Sequence, residues 1–302
     1  MHALSVTGLN KSYGSFEVIK DLNLQIERGS IHGLVGLNGS GKTTTIECIL
    51  GLQAFNAGEI RVLGHTPDQL HQARGKLVAI FDSASLHPNL SVRQCLNQAR
   101  LLCEKPVRCA TEVEQLLGIA RFSNFKIKHL SLGNKRRASI AHALIGQPEI
   151  IVLDEPFNGL DAEGVDDVLQ LITTLNKEEG TAFLLSSHQL PYLEQICSHI
   201  AILHKGGIAV SDTVASLLAQ SSTTVLLKTG CIEQALAVIE QTDKVKLLSR
   251  DEADYLQLSI DEIDSATLNR LLVEQQIPVS EMILKRASLA SLFREITSEA
   301  AT

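Results

Sequence analysis

Residues 36–44 of this 302-residue chain read GLNGSGKTT, and this stretch decides the predicted fold. A glycine, four further residues and then Gly41-Lys42-Thr43 form the Walker A pattern, and residues 30–35 (SIHGLV) before it are typical of a buried strand. Because glycine has no Cβ, such a loop turns tightly and directs its backbone N–H groups at phosphate oxygens. The helix predicted from Thr43 onward adds the positive end of its dipole. The sequence therefore predicts a phosphate-binding loop between a strand and a helix.

The residue types in this loop predict ATP and Mg²⁺ as its ligands. Lys42 supplies a positive charge to the phosphates, and the hydroxyl of Thr43 is a ligand for Mg²⁺. A glycine-rich turn that binds nothing is the alternative, which the strand, loop and helix context disfavours. The predicted nucleotide-binding residues of the loop are Gly36, Leu37, Asn38, Gly39, Ser40, Gly41, Lys42, Thr43 and Thr44.

Composition argues against several other classes of protein. The formal net charge is −7 and the sequence has no basic block, so we expect no nucleic acid as main partner. No uninterrupted apolar run approaches the roughly 18 residues of a membrane span, and we expect a soluble, cytoplasmic chain. The six cysteines form no CxxC pair, which predicts reduced thiols and no zinc site.

Two carboxylates follow a second apolar strand. Residues 150–153 (IIVL) end in Asp154 and Glu155. The carboxyl end of a buried parallel strand lies beside the phosphate loop in such folds, so we expect both side chains at the nucleotide. Asp154 can hold Mg²⁺ through water, while Glu155 can orient or deprotonate the attacking water. A solvated turn is the alternative for this pair.

A histidine follows a third apolar strand in the same way. Residues 182–185 (AFLL) lead into Ser186, Ser187 and His188, and a histidine at this edge can hydrogen-bond a γ-phosphate or the attacking water. A lone histidine is more often structural, but its placement favours the functional interpretation.

Two further signals are weaker when taken alone. Tyr13 precedes the first long strand and could stack on a base or simply pack in the fold. Residues 130–134 (LSLGN) begin a predicted helix, where Ser131 and Gly133 could contact a second phosphate or form a simple N-cap. The basic residues 135–137 (KRR) could equally be a solvated face, and charge alone assigns no role to Arg136 or Arg137.

The hydrophobic pattern divides the chain into two predicted domains. Residues 1–220 form an α/β P-loop NTPase core with a mixed sheet and a helical subdomain at about 86–145, which could dock a partner or cover the sheet. Residues 222–302 alternate as strand, helix, strand, strand, helix, strand, which predicts a small α+β domain of the ferredoxin-like type followed by a last helix. Dimer contact, regulation and stabilisation are open roles for this domain, as is a passive appendage.

The order and spacing of these motifs resemble the ATP-binding subunit of an ABC transporter over about residues 1–220. The resemblance implies an ABC ATPase fold, and it assigns a role to each matching residue. Tyr13 corresponds to the adenine-stacking aromatic, Ser131 and Gly133 to the LSGGQ signature, Asp154 to the Walker B aspartate, Glu155 to the catalytic glutamate, Asp161 to the D-loop aspartate and His188 to the switch histidine. The resemblance further implies that Lys42 contributes to catalysis.

Two departures from the family pattern stand out. Asp82 occupies the position of the usual loop glutamine, where it could meet the metal or the water but adds negative charge beside the γ-phosphate. Leu132 and Asn134 replace a glycine and a glutamine of LSGGQ, so the signature keeps its serine and Gly133 with different neighbours.

The resemblance also implies partners and a location. Two such subunits bind head to tail, each ATP lying between one Walker A loop and the signature serine of the other subunit. An integral membrane permease completes the transporter, which would place this chain peripherally on the cytoplasmic face of the membrane. The signature variant and the C-terminal extension are most similar to ATPases of ABC-2-type exporters, which handle drugs, peptides such as bacteriocins, polysaccharides or lipids.

We therefore expect an ATPase that powers transport by closing a head-to-tail homodimer. The alternative is a nucleotide-driven conformational switch that signals to or remodels a membrane partner without moving a substrate, and Asp82 motivates it. A DNA-repair or translation ATPase is disfavoured because the sequence has neither a coiled-coil insertion nor a second cassette.

Overall fold

The structure is a computed structural model that describes residues 2–73, 75–81, 86–220, 224–242, 244–251, 254–260, 263–285 and 288–299. The chain divides into two compact units, Met1–Val214 and Ala215–Thr302. No described helix is both long enough and apolar enough to cross a membrane.

A parallel sheet forms the centre of the first unit. The strands of this unit are β1 (His2–Tyr13), β2 (Phe16–Glu27), β3 (Ile31–Val35), β4 (Ala57–Val62), β5 (Leu77–Ile80), β6 (Ile150–Asp154), β7 (Ala182–Ser187), β8 (His199–His204) and β9 (Gly207–Thr213). Six of them form one sheet in the order β5-β6-β7-β3-β8-β9, parallel except for β9. Every residue of β3, β6 and β7 is buried, as expected for strands covered on both faces. Their carboxyl ends therefore meet at one edge, directly before the loops that carry the motifs.

A second, antiparallel sheet with the order β2-β1-β4 packs against this parallel sheet. Apolar side chains of both sheets, such as Leu4, Ile26, Leu34 and Val152, form one buried cluster. β1 pairs with β2 from His2 to Tyr13 through several register shifts, so Tyr13 ends a strand at a hairpin.

Helices cover the parallel sheet and form the insertion between β5 and β6. Those of the first unit are α1 (Lys42–Ile49), α2 (Val92–Leu102), α3 (Ala110–Leu116), α4 (Leu132–Ala143), α5 (Ala162–Glu179) and α6 (Leu190–Ile196), and α7 (Val214–Gln220) follows at the boundary. In the insertion, α2, α3 and α4 contact one another. Glu114, fully buried on α3, accepts hydrogen bonds from Arg93 of α2 and from Ser123, which satisfies a carboxylate that would otherwise be costly to bury.

Two histidines stack at the amino end of the parallel sheet, opposite the motif-bearing edge. His32 of β3 and His199 of β8 are cross-strand neighbours whose ring centroids lie 4.5 Å apart with nearly parallel planes. Burial, and then the proximity of His199, lower the pKa of His32 to about 4. His32 is 7% exposed and is therefore a neutral side chain at ordinary pH.

The second unit has the predicted ferredoxin-like arrangement. Its elements are β10 (Thr224–Lys228), α8 (Ile232–Glu240), β11 (Val245–Arg250), β12 (Tyr255–Ile260), α9 (Ser265–Glu274), β13 (Glu281–Lys285) and α10 (Leu289–Glu299). The strands form an antiparallel sheet in the order β11-β12-β10-β13. Alternate residues of β10 and β12, including Val225, Leu227, Leu256 and Leu258, are buried in the core of this unit together with apolar residues of α8 and α9. The α/β core and the small α+β domain predicted from the sequence are thus confirmed.

Candidate nucleotide-binding site

The loop between β3 and α1 has the backbone of a phosphate cradle. Gly39 and Gly41 have φ angles of 80° and 106°, which favour glycine, and Gly41 is the N-cap of α1. A Cβ at Gly36 would lie 2.4 Å from Ser40 Oγ and 2.7 Å from the Leu203 carbonyl oxygen, so only glycine fits there. Residues 37–39 are exposed at the mouth of the loop. The first N–H groups of α1 have no helical partners and face this loop, as anion binding requires.

Lys42 lies buried inside the cradle. Its Nζ donates hydrogen bonds to the carbonyl oxygens of Gly36 at 2.8 Å and Leu37 at 3.3 Å, and the side chain is 6% exposed. The same Nζ is 3.7 Å from Glu155 Oε1. The ammonium group is thus fixed between the loop and the carboxylate that follows β6.

Thr43 and Asp154 form a hydrogen-bonded pair that uses only one of the two carboxylate oxygens. Thr43 Oγ1 donates to Asp154 Oδ2 at 3.0 Å. Asp154 is 5% exposed, and its Oδ1 has no hydrogen-bond partner among the described residues. A buried, unpaired carboxylate oxygen beside a hydroxyl suits a hard cation such as Mg²⁺, which takes oxygen ligands.

Glu155 is at the centre of a hydrogen-bonded cluster. It directly follows β6 in a left-handed backbone conformation, with a φ of 47°. Its Oε2 accepts a hydrogen bond from Ser187 Oγ at 3.1 Å, and His188 Nδ1 lies 3.0 Å from the same oxygen. With Nδ1 protonated, His188 donates to this carboxylate. The structure therefore brings Lys42, Glu155 and His188 together at the carboxyl edge of the sheet.

Arg136 is a site residue that the sequence interpretation did not assign. Its guanidinium donates to the carbonyl oxygen of Phe81 at 3.0 Å and to that of Glu155 at 3.2 Å. The side chain is 5% exposed. The signal in the sequence is helical spacing, because Arg136 shares a face of α4 with the buried Ile140 and Ala143. A charged residue on an apolar face needs polar partners, here two carbonyl groups at the ends of β5 and β6.

Tyr13 lies at the hairpin that borders the start of α1. Lys11 Nζ is 4.5 Å from the centroid of its ring and donates to the Ala54 carbonyl oxygen at 2.7 Å. The ring is 48% exposed. On the next strand, the carbonyl oxygen of Val18 lies 3.3 Å from the position of a Cβ at Gly41, so this hairpin contacts the cradle.

Ser131, Gly133 and Asp161 lie around a separate cavity of about 350 Å³, which we call the signature cleft. Ser131 is the N-cap of α4 and accepts from the Asn134 N–H at 3.3 Å. Asp161 is the N-cap of α5 and accepts from the Gly164 N–H at 2.9 Å. The cleft is lined by Arg121, Ser131, Leu132, Gly133, Asn134, Arg137, Gly159, Leu160, Asp161, Glu163, Gly164 and Asp167.

Leu132, one of the two departures from the signature pattern, packs across this cleft. A Cβ at Gly159 would lie 2.4 Å from Leu132 Cδ2, so the leucine rests against the backbone of the turn before Asp161. A Cβ at Gly133 would likewise lie 3.7 Å from Leu160 Cδ2. The start of α4 and the turn before α5 therefore pack as one surface. The other departure, Asp82, lies outside the described residues.

Comparison with known proteins identifies the family. The family described as ABC transporter matches residues 19–158. The uncharacterised ABC transporter ATP-binding protein YhcH of Bacillus subtilis is 31% identical over 298 residues, 98% of this chain and 96% of YhcH. The chain therefore belongs to the ATP-binding proteins of ABC transporters, a family of nucleotide-binding ATPases that work with membrane permeases. The resemblance inferred from the motifs is confirmed at this level.

Other relatives differ in how much of the chain they match. The bacitracin transport ATP-binding protein BcrA of Bacillus licheniformis is 29% identical over 292 residues, 96% of this chain and 95% of BcrA. The methionine import ATP-binding protein MetN of Clostridioides difficile is 31% identical over 223 residues, covering 70% of this chain and 68% of MetN.

Among solved structures, the ATP-binding cassette MJ0796 in a dimeric post-hydrolysis state, bound to ADP and Pi, has a TM-score of 0.62. It is 26% identical and covers 70% of this chain and 98% of its own. Together with the sequence relatives described above, this structural similarity identifies the chain as an ATPase of the ATP-binding-cassette type.

Proposed function

We propose that this chain hydrolyses Mg·ATP between two head-to-tail copies of itself and so powers an ABC-2-type exporter. One observation carries the assignment of the residues. The Glu155 carboxylate is held by Ser187 and His188 beside Lys42, while the neighbouring Asp154 has, next to Thr43, a buried oxygen that no described residue pairs with.

Binding of the nucleotide is assigned to the cradle and to Tyr13. The N–H groups of the loop and of the start of α1 would hold the phosphates, with Lys42 turning from the Gly36 carbonyl to the γ-phosphate. Tyr13 would stack on the adenine, since its ring is half exposed at a hairpin that contacts the cradle.

Mg²⁺ would be held by Thr43 and, directly or through water, by Asp154. A bound magnesium ion neutralises charge on the phosphate oxygens as the terminal phosphate is transferred. Asp82 lies outside the described residues, so its contact with the metal or the water stays a prediction.

Glu155 and His188 would act on the attacking water. A carboxylate held by two hydrogen bonds is positioned to orient or deprotonate this water, and His188 can bind the water or the γ-phosphate. Removing such a base typically slows a reaction by about 10² to 10⁴.

The second copy would complete the site through its signature cleft. Ser131 and Asp161 make their described hydrogen bonds within the cleft, at two helix N-termini that favour anions. A head-to-tail dimer would place that cleft over the other copy's cradle, making two equivalent sites. The dimeric state of the similar cassette MJ0796 with ADP and Pi supports this proposal.

The export assignment is supported by the extent of similarity. BcrA, a bacitracin transport protein, matches 96% of this chain, including its C-terminal unit, while the methionine import protein matches 70%. The likeness to a bacitracin transporter favours a peptide-like or other amphiphilic cargo. The membrane subunit would be an integral permease, with this chain on the cytoplasmic face.

The helical insertion offers a surface for that permease. Leu101 and Leu102, at the end of α2, are 87% and 79% exposed. Adjacent apolar side chains with this exposure are typical of protein contact sites. A cavity of about 520 Å³ lined by Leu102, Ala99 and residues of β5 lies beside them.

The decisive experiment compares the wild type with Glu155→Gln, each reconstituted with the permease. We expect ATP turnover to fall by about 10² to 10⁴, with ATP binding retained and the closed dimer accumulating. Glu233→Gln, an exposed glutamate on α8, is the matched control and should keep full turnover. Equal turnover in the wild type and Glu155→Gln would sink the assignment. Turnover and dimerisation without substrate movement in vesicles would instead favour the switch that signals to its membrane partner.

A further inference from the structure

The two edges of the C-terminal sheet differ in a way that points to a partner. The sheet order places β11 at one edge and β13 at the other. An edge strand presents backbone N–H and C=O groups that can pair with another strand, unless charges, bulges or a covering element prevent it. Among the described residues, only β11 combines a bulge with charges that would repel a second copy of the same strand.

β11 is protected against pairing with a second copy of itself. Its register with β12 shifts between Leu247 and Ser249, which is the irregularity of a bulge. Lys246 and Arg250 lie on either side of Leu248. Antiparallel self-pairing centred on Leu248 would bring these two positive side chains directly opposite each other, which is unfavourable. The exposed Leu247 and Leu248 are therefore flanked by charges that repel a second copy.

β13 has the opposite properties. It pairs with β10 without a register shift, from Glu281 opposite Lys228 to Lys285 opposite Thr224. Four of its five residues are exposed, including Ile283 at 45% and Leu284 at 41%. A regular edge strand with exposed apolar side chains is a template for strand addition.

The sequence of β13, EMILK, is complementary to itself. In an antiparallel pair centred on Ile283, each Glu281 lies opposite the second copy's Lys285, and Met282 lies opposite Leu284. Because side chains alternate between faces, the two ion pairs share a face with the central Ile283 pair, while Met282 and Leu284 pair on the other face. Opposite charges and apolar contacts thus coincide in a single register.

We propose that β13 pairs antiparallel with β13 of a second copy of this chain, joining the two C-terminal sheets into one. The five-residue strand is small beside the roughly 1,200 Å² of a stable protein interface, so the contact is weak on its own and reversible. The fraction of β13 strands that are paired rises where another contact already holds the two chains together, because the β13 contact is then intramolecular. The inference does not depend on the proposed nucleotide site, because β13 needs no ATP to pair.

A charge exchange in the full-length chain without nucleotide tests this pairing by sedimentation velocity. We expect a concentration-dependent dimer in the wild type. Glu281→Lys or Lys285→Glu alone should weaken it about tenfold, because each places like charges opposite each other. The double variant E281K/K285E should restore it. A wild type that stays monomeric up to roughly 1 mM, the weak limit of specific affinity, or a double variant as weak as the single ones, would overturn the proposal.

Two controls isolate the charge effect. Glu240→Lys, a charge reversal at an exposed residue of α8, should leave the association unchanged, whereas an equal loss of association there would show that net charge and not the β13 pair matters and would contradict the proposal. Tyr255→Phe removes the 2.5 Å hydrogen bond that Tyr255 donates to Glu281, without changing a charge. Association should survive it, and a loss would show that this bond, and not the charge pair, matters.

Cross-linking tests the register independently. Ile283→Cys should form a disulfide between two copies under mild oxidation, because the central pair of an antiparallel register is directly opposite. Glu281→Cys should not, since its counterpart is position 285. The wild type, with its six native cysteines, gives the baseline. Equal cross-linking of both variants would refute the register. ATP-dependent closure, measured with Glu155→Gln, is a separate readout and can succeed or fail without the β13 contact.

Discussion

The cradle and the signature cleft satisfy their polar groups in different ways. In the cradle, Lys42 and Asp154 are almost fully buried and bond to groups distant in sequence. In the cleft, Ser131 and Asp161 are exposed and bond to N–H groups three residues away. Burying an unpaired polar group costs free energy, so the cradle pairs Lys42 and Asp154 within the chain, apart from the Asp154 Oδ1 that no described residue pairs with and that suits a cation. Solvated helix caps, by contrast, can turn to an outside ligand. We propose that the cradle holds the nucleotide of its own chain, while the signature cleft binds the nucleotide of a second copy.

The largest expected effect comes from variants that leave the cradle intact in one chain and the signature cleft intact in the other. Lys42→Met and Ser131→Arg should each lower ATPase activity by about 100-fold or more, because each breaks both sites of a homodimer. Mixing the two variants should restore at most about a quarter of the wild-type activity, since half of the dimers are mixed and each has one intact site. The measurement is turnover of the pure and mixed proteins with the permease.

No recovery in the mixture, with mixed dimers shown to form, would mean that both halves act in the same chain. A mixture of Lys42→Met with Lys42→Arg is the matched control, because neither chain then supplies an intact cradle. It should stay inactive.

A pH titration separates loss of the fold from loss of the site. The pKa of His32 is lowered to about 4 in the folded chain, against about 6.5 when unfolded, so the unfolded state binds more protons between these values. Stability should therefore fall as the pH drops from 6.5, by about 2 kcal/mol at pH 4.5, and level off below pH 4. Chemical denaturation at a series of pH values measures this.

His32→Gln should reduce the dependence of stability on pH between 6.5 and 4, while leaving ATP turnover at pH 7.5 unchanged. Some slope should remain, because burial also lowers the pKa of His142. An unchanged slope in the variant would show that His32 is not the titrating group.

Replacing Tyr13 tests the edge of the cradle. Tyr13→Ala should weaken ATP binding about tenfold through loss of base stacking, and should leave the affinity for inorganic tripolyphosphate unchanged. Calorimetry with both ligands measures the difference. Phe16→Ala, at the other side of the same hairpin and 69% exposed, should bind ATP normally. Equal weakening of both ligands by Tyr13→Ala would assign the ring to packing.

The smallest effect concerns the packing of the cleft. Leu132→Ala removes the contact with Gly159 and should weaken ATP-dependent dimerisation about fivefold in the Glu155→Gln background, with ATP binding to the single chain intact. Leu116→Ala, on α3 and 47% exposed, should have no effect. Unchanged dimerisation in Leu132→Ala would show that the cleft does not need this leucine.

Local patterns predicted most of the first unit and of the site. The Walker A loop, the buried strands before Asp154 and His188, and the possible cap at Ser131 depend on residues close in sequence, so motif spacing and hydrophobic pattern indicate them. Local propensity does not reveal the length of β1, because residues 8–13 are largely polar and are held in the strand by pairing with β2. Arg136 was missed because its partners are backbone carbonyls, which leave no mark in a side-chain pattern.

Arg136 also connects the two halves of the dimeric site proposed above. It lies on α4, the helix capped by Ser131, and its guanidinium bonds to the carbonyl of Glu155. In the proposed dimer, this helix would join the site that a chain completes in its partner to the site that it forms itself. Occupation of one site should then alter the rate at the other, and hydrolysis should rise with ATP concentration with a Hill coefficient above one. The two ATP molecules of a dimer would be consumed in a coupled sequence, with α4 as the means of communication.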